Sequence, residues 1–154
     1  MSYDRVLGGP GAALWRAANL WARREREALE RHGLTPVQFL LLAGLGDLGG
    51  DQPVTQTDLA RHCGADPMMV SQVLRGQEKV GLVRRRTHPA DSRARAVSLT
   101  GRGRGVLARA LESMVDAQDA FFGPLARDTE AFTVALRVLV GEKPRRRVAA
   151  ARRP

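Results

Sequence analysis

Cys63 is the only cysteine in this 154-residue chain, and His62 stands beside it. A cysteine activated by a histidine is a nucleophile, but adjacent helical residues point about 100° apart and the two side chains do not meet. One thiol makes no internal disulfide, and three histidines with one cysteine fit no zinc spacing. The chain has no paired acid and base carboxylates and no nucleophile elbow. Gly101-x-Gly103-x-Gly105 follows a candidate strand and opens a candidate helix, yet the rest of the dinucleotide fingerprint is missing. Enzyme, metal and cofactor roles are therefore not expected, and Cys63 reads as a small buried hydrophobe.

The remaining chemistry is charge. The chain carries 25 Lys and Arg against 16 Asp and Glu, a net charge of +9. Residues 1–54 are neutral, with six of each sign. Residues 55–109 hold eleven basic and four acidic side chains, residues 110–140 two and five, and residues 141–154 six and one. A localised basic block suits a polyanion, because each cation that meets a phosphate releases condensed counterions. The alternative is a solvated basic surface that serves only solubility.

A chain of this length makes about one domain and buries roughly 70% of its unfolded surface. Apolar residues at 44% and charged residues at 27% indicate a globular protein. No run of 18 apolar residues is present, and Met1-Ser2-Tyr3-Asp4 shows no export pattern, so a soluble cytoplasmic protein without membrane contact is expected.

The elements that position this block follow from caps and periodicity. Residues 10–32 predict a helix with Leu14, Ala17, Ala18, Trp21, Glu25, Ala28 and Leu29 along one stripe, stopped by Gly33. Thr35, Pro36 and Gln38 form a capping box for a central helix carrying Phe39 to Ala43, with Leu34 and Phe39 as its staple. A loop is expected over residues 47–53. Thr55 and Asp58 make a second box, opening a short helix that Gly64 ends, and Asp66-Pro67 opens the next, which runs to Gly81. Val70, Val73 and Leu74 belong to its buried side, and one of Met68 and Met69 is expected to join them. Two short helices around a tight glycine turn are a helix-turn-helix unit. Residues 82–86 and 96–99 then read as a hairpin around a polar loop at 87–95, which is a wing. Thr100 caps a long helix to about Phe122, Gly123-Pro124 breaks it, and a last helix covers about residues 128–140. The arginine-rich tail has little to bury and is expected to be disordered. The chain shows no internal repeat.

This order resembles the MarR-type (multiple antibiotic resistance) winged-helix regulators over about residues 35–123. The resemblance is carried by Leu34-Thr35-Pro36-Val37-Gln38-Phe39, Thr57-Asp58-Leu59-Ala60, Met69-Val70-Ser71, Gly81-Leu82-Val83-Arg84-Arg85, Asp91-Ser92-Arg93 and Leu99-Thr100-Gly101-Arg102-Gly103. It implies a mainly α fold with a small β-hairpin wing. The expected parts are an N-terminal dimerisation helix (1–34), a DNA-binding winged helix-turn-helix (35–99), C-terminal dimerisation helices (100–140) and a basic tail (141–154). Two positions depart from the family, which usually has arginine at Gln72 and leucine at Gln77. Gly76 inside the helix costs roughly 1 kcal/mol relative to alanine.

The major groove admits a helix whose early residues read base edges. Here these are Pro67, Met68, Met69, Ser71, Gln72 and Arg75, with Thr57 on the preceding helix. Gln72 suits adenine, Arg75 suits guanine or phosphate, and a methionine packs on a thymine methyl. Arg93 and Arg95 are placed for a minor groove. Arg84, Arg85 and Arg86 alternate across a strand, so at most two share a face, and Arg84 is assigned to phosphate. By resemblance, Asp91 holds the wing from which Arg93 reaches DNA.

Leu14, Trp15, Trp21, Phe121, Phe122, Phe132 and Leu136 exceed what one winged helix buries. The resemblance implies that such residues intertwine two copies into a homodimer reading a pseudo-palindromic operator in double-stranded DNA. It also implies a small aromatic or anionic effector near Trp15, His32 and Phe39. A dimeric, sequence-specific transcriptional regulator, a repressor released by that effector, is the leading reading. The competitors are a nonspecific or architectural nucleic-acid binder and a regulator sensing oxidants through Cys63.

Overall fold

The structure, a computed structural model, describes residues 3–49, 54–88 and 91–142, apart from the side chains of residues 88 and 91–94. It forms two compact units, residues up to Ala117 and residues from Gln118 onward.

In the first unit, α1 (Tyr3–Leu7) is a short helix with no buried residue, and the sequence pattern gives no sign of it. α2 (Pro10–Glu30) opens on its proline and gives way to Gly33, whose φ of 65° lies in the left-handed region. It buries only Ala28 and Leu29. Glu25 is half-buried on this helix, and burial pushes its carboxyl pKa up against the pull of Arg26.

α3 (Pro36–Gly49) has both halves of its capping box: Gln38 N–H donates to Thr35 Oγ1 at 3.3 Å and Thr35 N–H to Gln38 Oε1 at 2.9 Å. It buries Leu41, Leu42 and Leu45 and continues beyond Asp47, where a loop is expected. Its glycines serve packing rather than termination. Gly44 is buried, and a Cβ there would lie 2.6 Å from Cys63 Sγ. Residues 50–53 of the expected loop lie outside the described residues.

β1 (Val54–Thr55) adds a strand to the expected hairpin, pairing with Val97 and Ala96. Two residues are too few to show a period of two, which is why it is silent in the sequence. α4 (Gln56–Cys63) starts at Thr55, whose Oγ1 accepts from Asp58 N–H at 3.1 Å and donates to Asp58 Oδ2 at 2.7 Å. Gly64, with φ 60°, ends it. α5 (Pro67–Lys79) starts where Asp66 Oδ1 accepts from Met69 N–H at 2.9 Å. It buries Val70, Leu74 and Gln77, while Val73 is only half-buried beside the core. Gly76 is exposed, with nothing within 4 Å of an added Cβ. Gly76→Ala is therefore expected to raise stability by about 1 kcal/mol, read as a higher urea midpoint at unchanged slope.

β2 (Val83–His88) and β3 (Asp91–Leu99) run antiparallel from Val83 opposite Leu99 to Thr87 opposite Arg95, with an irregularity at Thr87/His88. Most of the loop expected over 87–95 is thus strand. Residues 87–95 carry no Val, Ile, Leu or Phe, so the stretch lacks the apolar alternation that marks a half-buried strand. The sheet order is β1-β3-β2. α6 (Gly101–Phe122) buries Gly103, Leu107, Ala110 and Met114 at helical spacing. One core joins the end of α2, α3, α4, α5, the sheet and α6.

The second unit begins in the last turn of α6. A 3₁₀ segment (Gly123–Asp128) leads to α7 (Thr129–Leu139). Phe121 and Phe122 meet edge-on with centroids 4.9 Å apart, and Phe122 lies 6.2 Å from Phe132. α7 buries no residue. The tail expected to be disordered lies outside the described residues from position 143 onward.

Candidate nucleic-acid interface

α5 has two chemically different sides. Val70, Leu74 and Gln77 are fully buried, while Pro67, Met68, Met69, Gln72 and Arg75 are exposed and Ser71 is half-buried. Met68, Gln72 and Arg75, at spacings of four and three, share one face. Met68 is 82% exposed and Met69 37%, so neither fills the core position expected for one of them. Asp66-Pro67 starts the helix just before them, which turns the first-turn side chains outward. Arg75 Nε donates to the Ser71 carbonyl at 3.3 Å, laying the guanidinium along the helix.

Gln77 is fully buried; its Nε2 donates to the Gln38 carbonyl at 2.9 Å and its Oε1 has no partner among the described residues. This bond ties α5 to the first turn of α3.

The three strand arginines divide as alternation requires. Arg84 and Arg86 are exposed. Arg85 lies on the opposite face, where its Nε donates to Glu78 Oε2 at 2.7 Å and its backbone N–H to Glu78 Oε1 at 3.1 Å. Glu78 thereby fastens the end of α5 to β2, a role the sequence reading did not assign. Its signal was the acid seven residues before the inward-facing middle arginine. The hydrogen bond from Arg85 holds the Glu78 carboxyl below its ordinary value of about 4.5, with Arg95 adding a smaller pull. A lowered folded-state pKa stabilises the fold above that ordinary value, and the contribution is lost as pH falls through the lowered one. The stability difference between wild type and Glu78→Gln is expected to shrink toward zero between about pH 5 and pH 3, starting from no more than about 1 kcal/mol. Urea midpoints across that range check it.

Arg95 is exposed on β3, opposite Thr87. The β3 backbone places Asp91 and Arg93 near the end of the ribbon, and their side chains lie outside the described residues. Thr57 is exposed in the first turn of α4.

The Cys63 thiol is half-buried, donates to the Leu40 carbonyl at 3.7 Å and has its pKa raised by burial. His62 turns instead to Asp47, Nε2 to Oδ2 at 3.0 Å. Among the described residues, no three His, Cys, Asp or Glu side chains gather as metal ligands, and no helix is long and apolar enough to cross a membrane.

The three effector candidates are spread out. Trp15 is 69% exposed on α2, and His32 follows that helix, so roughly 22 Å of helix separates them within one chain. His32 Nε2 pairs with Ser113 Oγ at 2.8 Å, joining the α2–α3 turn to α6, and Phe39 is half-buried against the core. Of the dimer candidates, Leu14 is exposed and Trp21, Phe121, Phe122, Phe132 and Leu136 are half-buried.

The MarR family model matches residues 32–94. An uncharacterized HTH-type transcriptional regulator of Bacillus subtilis, YdcH, is 38% identical over 114 residues, covering 73% of this chain and 78% of the relative. The HTH-type transcriptional repressor Rv2887 of Mycobacterium tuberculosis is 34% identical over 110 residues, 71% and 76% of the two chains. Among solved structures, the transcriptional repressor CouR bound to a 23-mer DNA duplex superposes with a TM-score of 0.80 at 25% identity, over 92% of this chain and 99% of that one. With its helix-turn-helix and β-ribbon built as described, the chain belongs to the MarR family of helix-turn-helix transcriptional regulators.

Proposed function

We propose that the chain is a sequence-specific, DNA-binding transcriptional repressor that acts as a homodimer on a pseudo-palindromic operator. The carrying observation is the two-sided α5: Val70, Leu74 and Gln77 anchor it while Met68, Gln72 and Arg75 stand outward. In this reading α5 lies in the major groove, Gln72 and Arg75 take base edges, and Met68 and Met69 cover a thymine methyl. Pro67, Ser71 and Thr57 approach the backbone beside them. Arg84 meets phosphate, and Arg93 and Arg95, on a ribbon steadied by Asp91, enter the minor groove. Rv2887 and CouR, both named as repressors and the latter bound to a DNA duplex, support it.

Dimerisation is supported by apolar surface that no described residue covers: Leu14, Trp15 and Leu20 on α2, and Val134, Val138 and Leu139 on α7, are each at least 40% exposed. A small aromatic or anionic effector would act at the α2–α3 turn, where it competes for the His32–Ser113 bond, with Phe39 on the helix that follows. Trp15 would join that site from the partner copy. Cytoplasmic residence accords with this role.

Fluorescence anisotropy tests the reading on a duplex enriched by this protein from random DNA, against its scrambled counterpart, through a salt series. Preference that survives physiological salt, with affinity lost in Arg75→Ala, is expected. Equal binding to both duplexes, vanishing steeply with salt, would mean a charge-driven binder instead.

A further inference from the structure

We propose that Met68 and Met69 form an oxidation site on the reading face of α5, and that converting them to sulfoxides by a peroxide lowers the protein's affinity for its DNA reversibly. The inference rests on the assignment of α5 as the reading helix. The chain has four methionines, two of them adjacent at the second and third positions of α5. Their burial separates them from the methionine of the core. Met68 is 82% exposed and Met69 37%, whereas Met114 is 4% exposed among core side chains.

The sole thiol does not compete well for the oxidant. Cys63 is half-buried and its Sγ is engaged with the Leu40 carbonyl, next to Gly44. A thioether needs no deprotonation to react, so among the methionines exposure decides which sulfur is oxidised first. The order set by burial is Met68, then Met69, with Met114 protected.

The step balances with one peroxide per methionine. The thioether sulfur attacks one peroxide oxygen, an S–O bond forms and the O–O bond breaks. The departing hydroxide takes up the proton left on the transferred oxygen and leaves as water. Sulfur loses two electrons and the peroxide gains them. The product is a polar, chiral sulfoxide where an apolar, adaptable side chain stood. At an exposed position this leaves the fold intact, but on a face that covers a thymine methyl it removes apolar contact and brings an oxygen dipole toward the acceptor-rich groove.

The test uses the full chain on a duplex that it enriches from random DNA. Wild type, Met68→Leu/Met69→Leu and Cys63→Ser are each treated with hydrogen peroxide and compared with their own untreated forms, with peptide mass spectrometry locating the added oxygens. Wild type and Cys63→Ser are expected to lose at least about tenfold in affinity, with oxygen on Met68 and Met69 and not on Met114. The double leucine variant should change by less than about twofold on treatment, and methionine sulfoxide reductases should restore the wild type. Unchanged affinity with both sulfoxides in place overturns the proposal, as does an equal loss in the double variant or in a protein oxidised first at Met114. Untreated protein that prefers no duplex overturns the reading helix and the proposal together; tight untreated binding that oxidation leaves alone overturns only the proposal.

Discussion

Alanine at Gly103 is expected to lower the unfolding free energy by about 3 kcal/mol, roughly 10 °C in Tm. Gly103 is buried at the start of α6, and a Cβ there would fall on the Leu82 carbonyl oxygen. That oxygen is not free to retreat. It accepts from Thr100 N–H at 3.1 Å and from Thr100 Oγ1 at 3.2 Å, and the same hydroxyl reaches the Gly81 carbonyl at 2.7 Å. Gly103 N–H donates back to Thr100 Oγ1 at 2.9 Å. Helix α6 is thus stitched to the turn that joins α5 to β2, and the glycine is where the backbones touch. Gly101 has nothing within 4 Å of an added Cβ and Gly105 only the tip of Arg109 at 3.7 Å, so alanine at either is expected to leave stability unchanged or slightly raised. Thermal unfolding of the three variants separates this account from one in which the glycines serve a ligand, where Gly103 would carry no special stability cost.

On the proposed homodimer, Val134→Asp combined with Val138→Asp is expected to yield a monomer and to weaken operator binding by about a hundredfold or more. α7 has 11 residues and buries none, although Phe132, Val134, Ala135, Leu136, Val138 and Leu139 make it apolar around most of its circumference. A helix shorter than about 12 residues is marginal alone in water, so its order depends on tertiary or partner contacts. Val134 is 42% and Val138 55% exposed, one turn apart. Carboxylates there leave the core of the first unit untouched while opposing burial against a second copy. If two α5 helices read two half-sites, the monomer keeps half the contacts and loses the gain from tethering. Sedimentation reports the mass and anisotropy the affinity. A variant that stays dimeric with full affinity would show that another surface joins the copies.

The fold was legible where local chemistry decides it. Thr35 with Gln38, Thr55 with Asp58, and Asp66-Pro67 are caps in the sequence and caps in the structure. Gly33, Gly64 and Gly81 adopt positive φ at the turns where they were expected to stop helices. The misreadings share a cause, which is that tertiary contacts override local pattern. Gly49 falls in the stretch expected as loop, yet close packing against Val54 keeps it in α3. β1 exists because β3 offers it a partner, and the outer ribbon exists without apolar alternation in its sequence. On the candidate interface, the outward side of α5 followed from its periodicity. The bonds from Gln77 to Gln38 and from Glu78 to Arg85 did not, since they depend on where α3 and β2 lie in space.

The central claim is that α5 reads bases through Gln72 and Arg75. Selection from random DNA with wild type, Gln72→Ala and Arg75→Ala, sequenced in parallel, tests it most directly. Wild type should enrich an inverted repeat with half-sites about one DNA turn apart, and each variant should relax the preference at one base pair of each half-site, by roughly 1–3 kcal/mol. Three identical motifs would contradict the claim and move sequence recognition away from this face of α5.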